Sequence, residues 1–275
     1  MKYTEYLSED IIESDFVKPF EPILLQQLII GSNYVDIRSN FVTPKSFYQK
    51  LYSCLWIVII VFSYWVLEEK CYEIYYDKSS TVYIALSFLI FLQCLSFFFS
   101  MIYKLFFPEN QMIDVYLNLQ KIDHYLRSTH IKSFYRNHLT LNIFCLLSVD
   151  IGFFIGMIIY INELDLNPWI SFGILLGFLS VYIDLILLMS FMHHLSVRLK
   201  FLCTILKNFL FNVSQYQNDN GNIVCIDDLP EIASDPTQLV TCLQIILDTF
   251  KLVSELCSFP VKRSSVLFLQ IDLRN

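Results

Sequence analysis

Two aspartates stand inside long apolar stretches, where a carboxylate is costly unless it has a partner. Asp150 lies in the stretch 139–161 and Asp184 in the stretch 169–191, and neither stretch holds another charged residue. Acids in such surroundings line a polar pocket or an ion route, or they stabilise the packing of helices through interhelical hydrogen bonds. In either case we expect them to face a helix bundle, with a water-filled cavity or partners from this set: Asn142, Ser148, Tyr160 and Tyr182.

An aromatic face accompanies the first of these acids. Phe153, Phe154 and Met157 follow Asp150 at helical spacing, and Trp169 opens the next apolar stretch. A pocket with aromatic walls and one deep polar group suits a small organic ligand. We therefore take Asp150 and these four residues as candidate ligand-binding residues. Ordinary core packing is the alternative, since the chain contains 25 phenylalanines throughout its length.

Signatures of enzymes and metal sites are absent from the sequence. It contains no Gly-x-Ser-x-Gly, His-Glu-x-x-His, Walker or glycine-rich nucleotide motif, and no Cys-x-x-Cys pair. The adjacent His193 and His194 point about 100° apart on a helix, which disfavours a shared haem or metal site. We interpret them as histidines at the membrane surface, and we predict no enzyme activity, no cofactor and no metal.

The composition indicates a membrane protein. Hydrophobic residues make up 55% of the 275 residues and charged residues 16%, whereas a soluble globular chain has roughly 25% charged residues. The formal net charge is −7, and no basic patch is available for nucleic acid. The chain does not begin with a basic segment followed by an apolar one, so we expect no cleavable signal peptide.

Four stretches are long enough to cross a bilayer, which takes about 20 residues of helix. They are 51–67, 82–103, 139–161 and 169–191. The last two are separated by seven residues and predict an antiparallel helical hairpin. The fold class predicted is therefore all-α, a polytopic bundle with four transmembrane helices and long cytoplasmic helical extensions.

The sequence predicts three regions in the chain. Residues 1–50 form a cytoplasmic N-terminal segment, in which Phe20–Ile30 is too short to span and lies at the membrane surface or packs under the bundle. Residues 51–191 form the transmembrane domain. Residues 192–275 form a cytoplasmic helical extension and tail, with a loop at 215–236 and a helix at 238–260. A second helical extension is predicted within 104–138.

The distribution of Lys and Arg predicts the orientation. Residues 1–50, 104–138 and 192–275 hold 17 of the 19, and the loops 68–81 and 162–168 hold two. Because Lys and Arg accumulate on the cytoplasmic side, both termini are expected to be cytoplasmic. Aromatic residues suited to the outer interface agree with this orientation: Trp65, Tyr83, Tyr160 and Trp169.

Several segments together resemble the insect gustatory receptor family, a branch of the insect chemoreceptor channels. They are FEPILLQQLIIGS before the first span, the loop sequence KIDHYLR, the continuation HHLSVRLKFLCTILKN of the fourth span, and the helix LVTCLQIILDTFKLVSELCS. The resemblance covers about residues 16–260. The family's Thr-Tyr…Gln-Phe signature, which lies in its last span, has no counterpart here, and the ending VKRSSVLFLQIDLRN fits nothing in the family.

The resemblance implies a function and a set of partners. It implies detection of a small organic tastant at the plasma membrane by a ligand-gated cation channel, in a homo- or hetero-oligomer that is a tetramer in the family. This chain corresponds to the first four spans and lacks the pore-lining last helix, so we expect a truncated form. The alternatives are a transporter with Asp150 and Asp184 as a proton or cation relay, and a structural membrane subunit in which they pin helix packing.

Overall fold

The computed structural model describes residues 11–38, 41–77, 79–106, 109–126, 131–216 and 236–272. Within these ranges the chain forms eight helices and one two-stranded sheet. In chain order they are α1 Ser14–Val17, α2 Glu21–Ile30, β1 Asp36–Arg38, β2 Phe41–Thr43, α3 Phe47–Tyr75, α4 Ser80–Phe106, α5 Glu109–Leu126, α6 Ile131–Leu164, α7 Pro168–Tyr216 and α8 Pro236–Asp272.

The prediction of four membrane-length helices is confirmed for the described part of the chain. The four are α3, α4, Ser133–Asn162 of α6 and Pro168–Lys207 of α7. The helices predicted outside the spans also form, since α5 lies in the 104–138 region and α7 continues to Tyr216. The helix predicted at 238–260 is longer than expected, because α8 runs on to Asp272. Most of the loop predicted at 215–236 lies outside the described residues.

One small sheet departs from the all-α prediction. Strands β1 and β2 pair antiparallel in the register Asp36↔Thr43, Ile37↔Val42 and Arg38↔Phe41. Strands of three residues are too short to show the alternation of apolar and polar side chains by which a strand is recognised. The hairpin connects α2 to α3 and leaves the helical class of the molecule unchanged.

Helix α7 is the centre of the bundle. It packs against α2, α3, α4, α5, α6 and α8. Half of its apolar window is buried inside the protein, compared with 6% of the windows in α4 and α6. The other three spans therefore surround α7 and turn most of their apolar surface outward.

Two glycines let α7 approach α3 closely. A Cβ added at Gly173 would collide with the Cβ and Oγ of Ser63, and one at Gly177 would lie 3.0 Å from side-chain atoms of Ile60 and Tyr64. Small residues at such positions allow the helix backbones to pack tightly, which drives helix association in a membrane.

Local sequence explains the sharp turn between α6 and α7. Asp165 adopts a positive φ of 47°, a conformation that Asp tolerates better than most residues. Asn167 then caps α7, because its Oδ1 accepts a hydrogen bond of 3.0 Å from the backbone N–H of Trp169. Pro168 occupies the first turn, where its missing N–H is not needed.

The segment before α3 lies inside the bundle. Ile12, Phe16, Phe20 and Ile23 are completely buried, and α2 packs against α6 and α7. The rings of Phe16 and Phe20 contact the ring of His194 on α7. The N-terminal segment is thus part of the hydrophobic core of the molecule.

Candidate functional site

The first of the two aspartates in apolar stretches, Asp150 on α6, is bound by a residue of the N-terminal segment. Gln26 on α2 donates a hydrogen bond of 2.8 Å from Nε2 to its carboxylate. The partners expected from the sequence are different. Asn142 instead donates to the carbonyl of Pro19 at 2.7 Å, and Ser148 donates to Phe144 of its own helix.

The second acid, Asp184 on α7, is buried and fully engaged. It forms an ion pair with Lys104 of α4. Gln27 of α2 donates a hydrogen bond of 3.0 Å, and Ser100 of α4 donates one of 3.4 Å. The ammonium group of Lys104 also lies 5.2 Å from the ring centroid of Tyr34.

Adjacent glutamines therefore join α2 to two helices at once. Gln26 and Gln27 point about 100° apart on their helix, so one reaches α6 and the other reaches α7. Both acids therefore have polar partners within the protein. The contacts are those of groups that hold helices together.

A cavity of about 360 Å³ lies between α6 and α7. Its size is within the usual range for small-molecule sites, roughly 300–1,000 Å³. It is lined by Val149, Gly152, Phe153, Tyr160, Leu175, Phe178, Leu179 and Tyr182. The lining is aromatic and aliphatic, and the residues in it with a polar side-chain group are Tyr160 and Tyr182. None of the described residues that line it is charged.

Of the five candidate ligand-binding residues, only Phe153 lines this cavity. The side chains of Phe154 and Trp169 are 66% and 82% exposed and face away from the protein. Met157 is half-buried, and Asp150 binds Gln26. The face of α6 that lines the cavity carries Val149, Gly152, Phe153 and Tyr160. The face predicted from the sequence, with Asp150, Phe154 and Met157, lies one residue further along the helix.

The α7 residues that form the second wall of the cavity were not predicted from the sequence. Leu175, Phe178, Leu179 and Tyr182 of α7 recur at spacings of three, one and three residues, which is the pattern of one helical face. That pattern is visible in the sequence. It does not stand out there, because nearly every residue of the stretch 169–191 is apolar.

A second polar cluster ties together α5, α6 and α7. Asp123 of α5 lies 3.2 Å from Nε2 of His194 and 2.5 Å from Nε of Arg198, both on α7. The hydroxyl of Tyr135 on α6 donates to the same carboxylate. Burial raises the pKa of Asp123, but His194, Arg198 and the Tyr135 hydrogen bond outweigh it, so the pKa lies below its ordinary value.

The two adjacent histidines, interpreted from the sequence as residues at the membrane surface, lie in different surroundings within the protein. His194 is completely buried and binds Asp123, whereas its neighbour His193 is exposed. The 100° between neighbouring helix positions explains the difference, because α5, α6 and the N-terminal segment cover only one side of α7.

A serine and a histidine are also in contact in this region. Ser190 lies 2.8 Å from Nε2 of His138, and Asn142 donates to the same serine at 3.0 Å. Nδ1 of His138 is buried and has no partner among the described residues, so no third group of that part of the chain orients the ring as in a catalytic triad. Among the described residues, no group of three or more His, Cys, Asp and Glu could hold a metal ion.

Comparison with protein-family models, curated proteins and solved structures finds no match to this chain.

Proposed function

We propose that this chain is a chemosensory membrane receptor that binds a small, uncharged organic tastant between α6 and α7. The observation that carries the proposal is the cavity of about 360 Å³. Aromatic and aliphatic walls with a few hydroxyl groups suit a compact, largely apolar ligand. An uncharged ligand is proposed because Asp150 and Asp184 are engaged by Gln26, Gln27 and Lys104.

The proposed biological setting follows the resemblance of the sequence to insect gustatory receptors. We place the chain in the plasma membrane with its N-terminus in the cytoplasm, in line with the distribution of Lys and Arg. We further propose that it acts within a homo- or hetero-oligomer, a tetramer in the family, in which ligand binding opens a cation channel.

A cavity-filling variant tests the binding site. Gly152 lines the cavity, and a Cβ added there would have no atom within 4 Å. Gly152→Phe should therefore fill the space without disturbing the helix. We expect purified protein in nanodiscs to bind tritiated caffeine, a small neutral aromatic probe, and Gly152→Phe to abolish that binding.

The matched control is Ile151→Phe, which adds a ring one position away. Ile151 is 59% exposed and does not line the cavity, so binding should persist. Equal binding by wild type and Gly152→Phe would place the site elsewhere. Absence of binding by the wild type to caffeine and to a wider panel of neutral tastants would count against a receptor.

The alternative of a structural membrane subunit is favoured by the contacts of the two acids. Each carboxylate joins two or more helices, as expected of groups that hold helices together.

The transporter alternative predicts that Asp150→Asn abolishes proton- or cation-coupled uptake into proteoliposomes while the protein remains folded.

A further inference from the structure

The cavity between α6 and α7 has a mouth on its outward side. Gly152 of α6 and Tyr182 of α7 both line the cavity. Gly152 is exposed, and a Cβ added there would have no atom within 4 Å. The side chain of Tyr182 is 51% exposed. The gap between the two helices is therefore open at this level.

The mouth lies near the middle of both apolar stretches. Gly152 is nine residues from the nearer end of the stretch 139–161, and Tyr182 is nine residues from the nearer end of the stretch 169–191. Nine residues of helix rise about 14 Å, and half the hydrocarbon layer of a bilayer is about 15 Å thick. When the two helices cross a bilayer, the mouth is thus far from both membrane surfaces.

The surface around the mouth is apolar. Ile155 follows Gly152 by three residues, and Leu185 follows Tyr182 by three, so each lies beside the earlier residue on the same side of its helix. Ile155 is 54% exposed and Leu185 is 51% exposed. Both belong to helices long and apolar enough to cross a membrane. In a bilayer the mouth therefore faces acyl chains rather than water.

Contacts between α6 and α7 close the two ends of the cavity. Toward the turn that joins the helices, a Cβ added at Gly156 would lie 3.0 Å from the side chain of Leu175, and Leu166 in the turn is 4% exposed. Toward the other end, Asn142 of α6 donates a hydrogen bond of 3.0 Å to Ser190 of α7, and both residues are buried. A ligand that moved along the helices from either aqueous surface would meet these contacts.

We infer that the cavity is loaded from the bilayer, through the mouth between Gly152 and Tyr182. This inference rests on the proposed function and narrows its ligands to neutral compounds that dissolve in the hydrocarbon layer. A charged compound would have to cross that layer without a partner, at a large cost in free energy. The described residues that line the cavity carry no charge that could offset this cost.

Spin-label accessibility tests the surroundings of the mouth without any ligand. Gly152→Cys carries the nitroxide in a background in which the eight native cysteines are replaced. Leu147→Cys, 54% exposed on α6, is the lipid-facing reference, and Lys121→Cys, exposed on α5, is the aqueous reference. In liposomes we expect collisions with oxygen to dominate over collisions with nickel-EDDA at Gly152, as at Leu147.

Two results of this measurement would overturn the inference. Dominant nickel-EDDA collisions, as at Lys121, would mean that water reaches the mouth. Low collision rates with both reagents would mean that protein covers it.

Binding kinetics test the route itself. Leu185 lies beside the mouth but does not line the cavity, so Leu185→Trp should narrow the mouth and leave the site unchanged. For tritiated caffeine and protein in nanodiscs, we expect the association and dissociation rate constants to fall several-fold by the same factor, with an unchanged Kd. Ile158→Trp is the matched control with wild-type rate constants, because Ile158 is 60% exposed and lies about 120° around α6 from Gly152.

The outcomes separate the route from the proposed function. Wild-type rate constants in Leu185→Trp, with binding intact, would overturn the route alone. Absence of binding by the wild type to caffeine and to the wider panel of neutral tastants would overturn the proposed function, and this inference with it, whatever the collision rates at Gly152.

Discussion

Lys104 and Asp184 form a buried ion pair in which desolvation opposes attraction. Their side chains are 1% and 9% exposed, and taking each ion out of water costs several kcal/mol. Hydrogen bonds from Gln27 and Ser100 and the ring of Tyr34 offset part of that cost. The pair therefore contributes little net stability, but either charge alone would be strongly unfavourable.

Single and double substitutions should separate these two effects. Lys104→Met or Asp184→Leu leaves one buried charge without its partner and should lower the free energy of unfolding by about 3–5 kcal/mol. The double variant should lose less than either single variant. The measurement is a double-mutant cycle of unfolding in detergent micelles, and strictly additive losses would show that the two groups are not coupled.

Asp150→Asn is the matched control for these variants. The Gln26 amide can still donate to the carboxamide oxygen, so the loss should stay below about 1 kcal/mol. A large loss at this position would mean that the negative charge of Asp150 is itself needed for folding.

At the scale of elements, α7 determines the packing because its small residues decide how closely the other spans approach. Ser63 on α3 fits against the bare backbone of Gly173, and its hydroxyl bonds to Ile59 of its own helix at 2.9 Å. A rotation of Ser63 would not relieve a clash at this point, because its Cβ is also too close to an added methyl group.

The same substitution at two glycines should therefore have opposite effects. Gly173→Ala overpacks the α3–α7 contact and should cost about 1–3 kcal/mol. Gly152→Ala adds a methyl group in open space on α6 and should be neutral or slightly stabilising, because alanine favours the helix by about 1 kcal/mol. Thermal unfolding of both variants in the same detergent is the measurement, and equal melting temperatures would contradict a tight α3–α7 contact.

At the scale of the whole molecule, the buried N-terminal segment connects the spans to the cluster around Asp123. Phe16 and Phe20 contact Tyr135, His138, His194 and Phe191, while Gln26 and Gln27 contact the intramembrane acids. One segment of the chain thus touches both polar clusters and the helices that form the cavity.

The proposed orientation predicts the labelling of intact cells. Asp77, in the turn between α3 and α4, and Lys121, on α5, are both exposed. An impermeant maleimide should label Asp77→Cys on intact cells and Lys121→Cys only after permeabilisation. Cys203, exposed on α7, should behave like Lys121→Cys and serves as an internal control. Labelling of Lys121→Cys on intact cells, with labelling of Asp77→Cys only after permeabilisation, would indicate the opposite orientation.

Some features of this protein depend on local sequence alone. The four membrane-length helices were predicted correctly, because about 20 consecutive apolar residues suffice to favour a helix in a bilayer, whatever the rest of the chain does. The α6–α7 hairpin follows for the same reason, since only seven residues separate its two helices. The apolar residues around Asp150 and Asp184 indicate by themselves that both acids need polar partners.

The tertiary structure alone decided which residues meet. Gln26 lies 124 positions from Asp150, and Gln27 lies 157 positions from Asp184, so no local pattern joins them. The burial of His194 depends on α5, α6 and the N-terminal segment covering one side of α7, and the cavity depends on which face of α6 is turned toward α7. Hydropathy determines that a helix forms in the membrane, but in a stretch that is apolar on every side it does not determine the rotation of that helix. Contacts with other helices determine the rotation, because side-chain packing and hydrogen bonds replace the distinction between water and core that orients helices in soluble proteins.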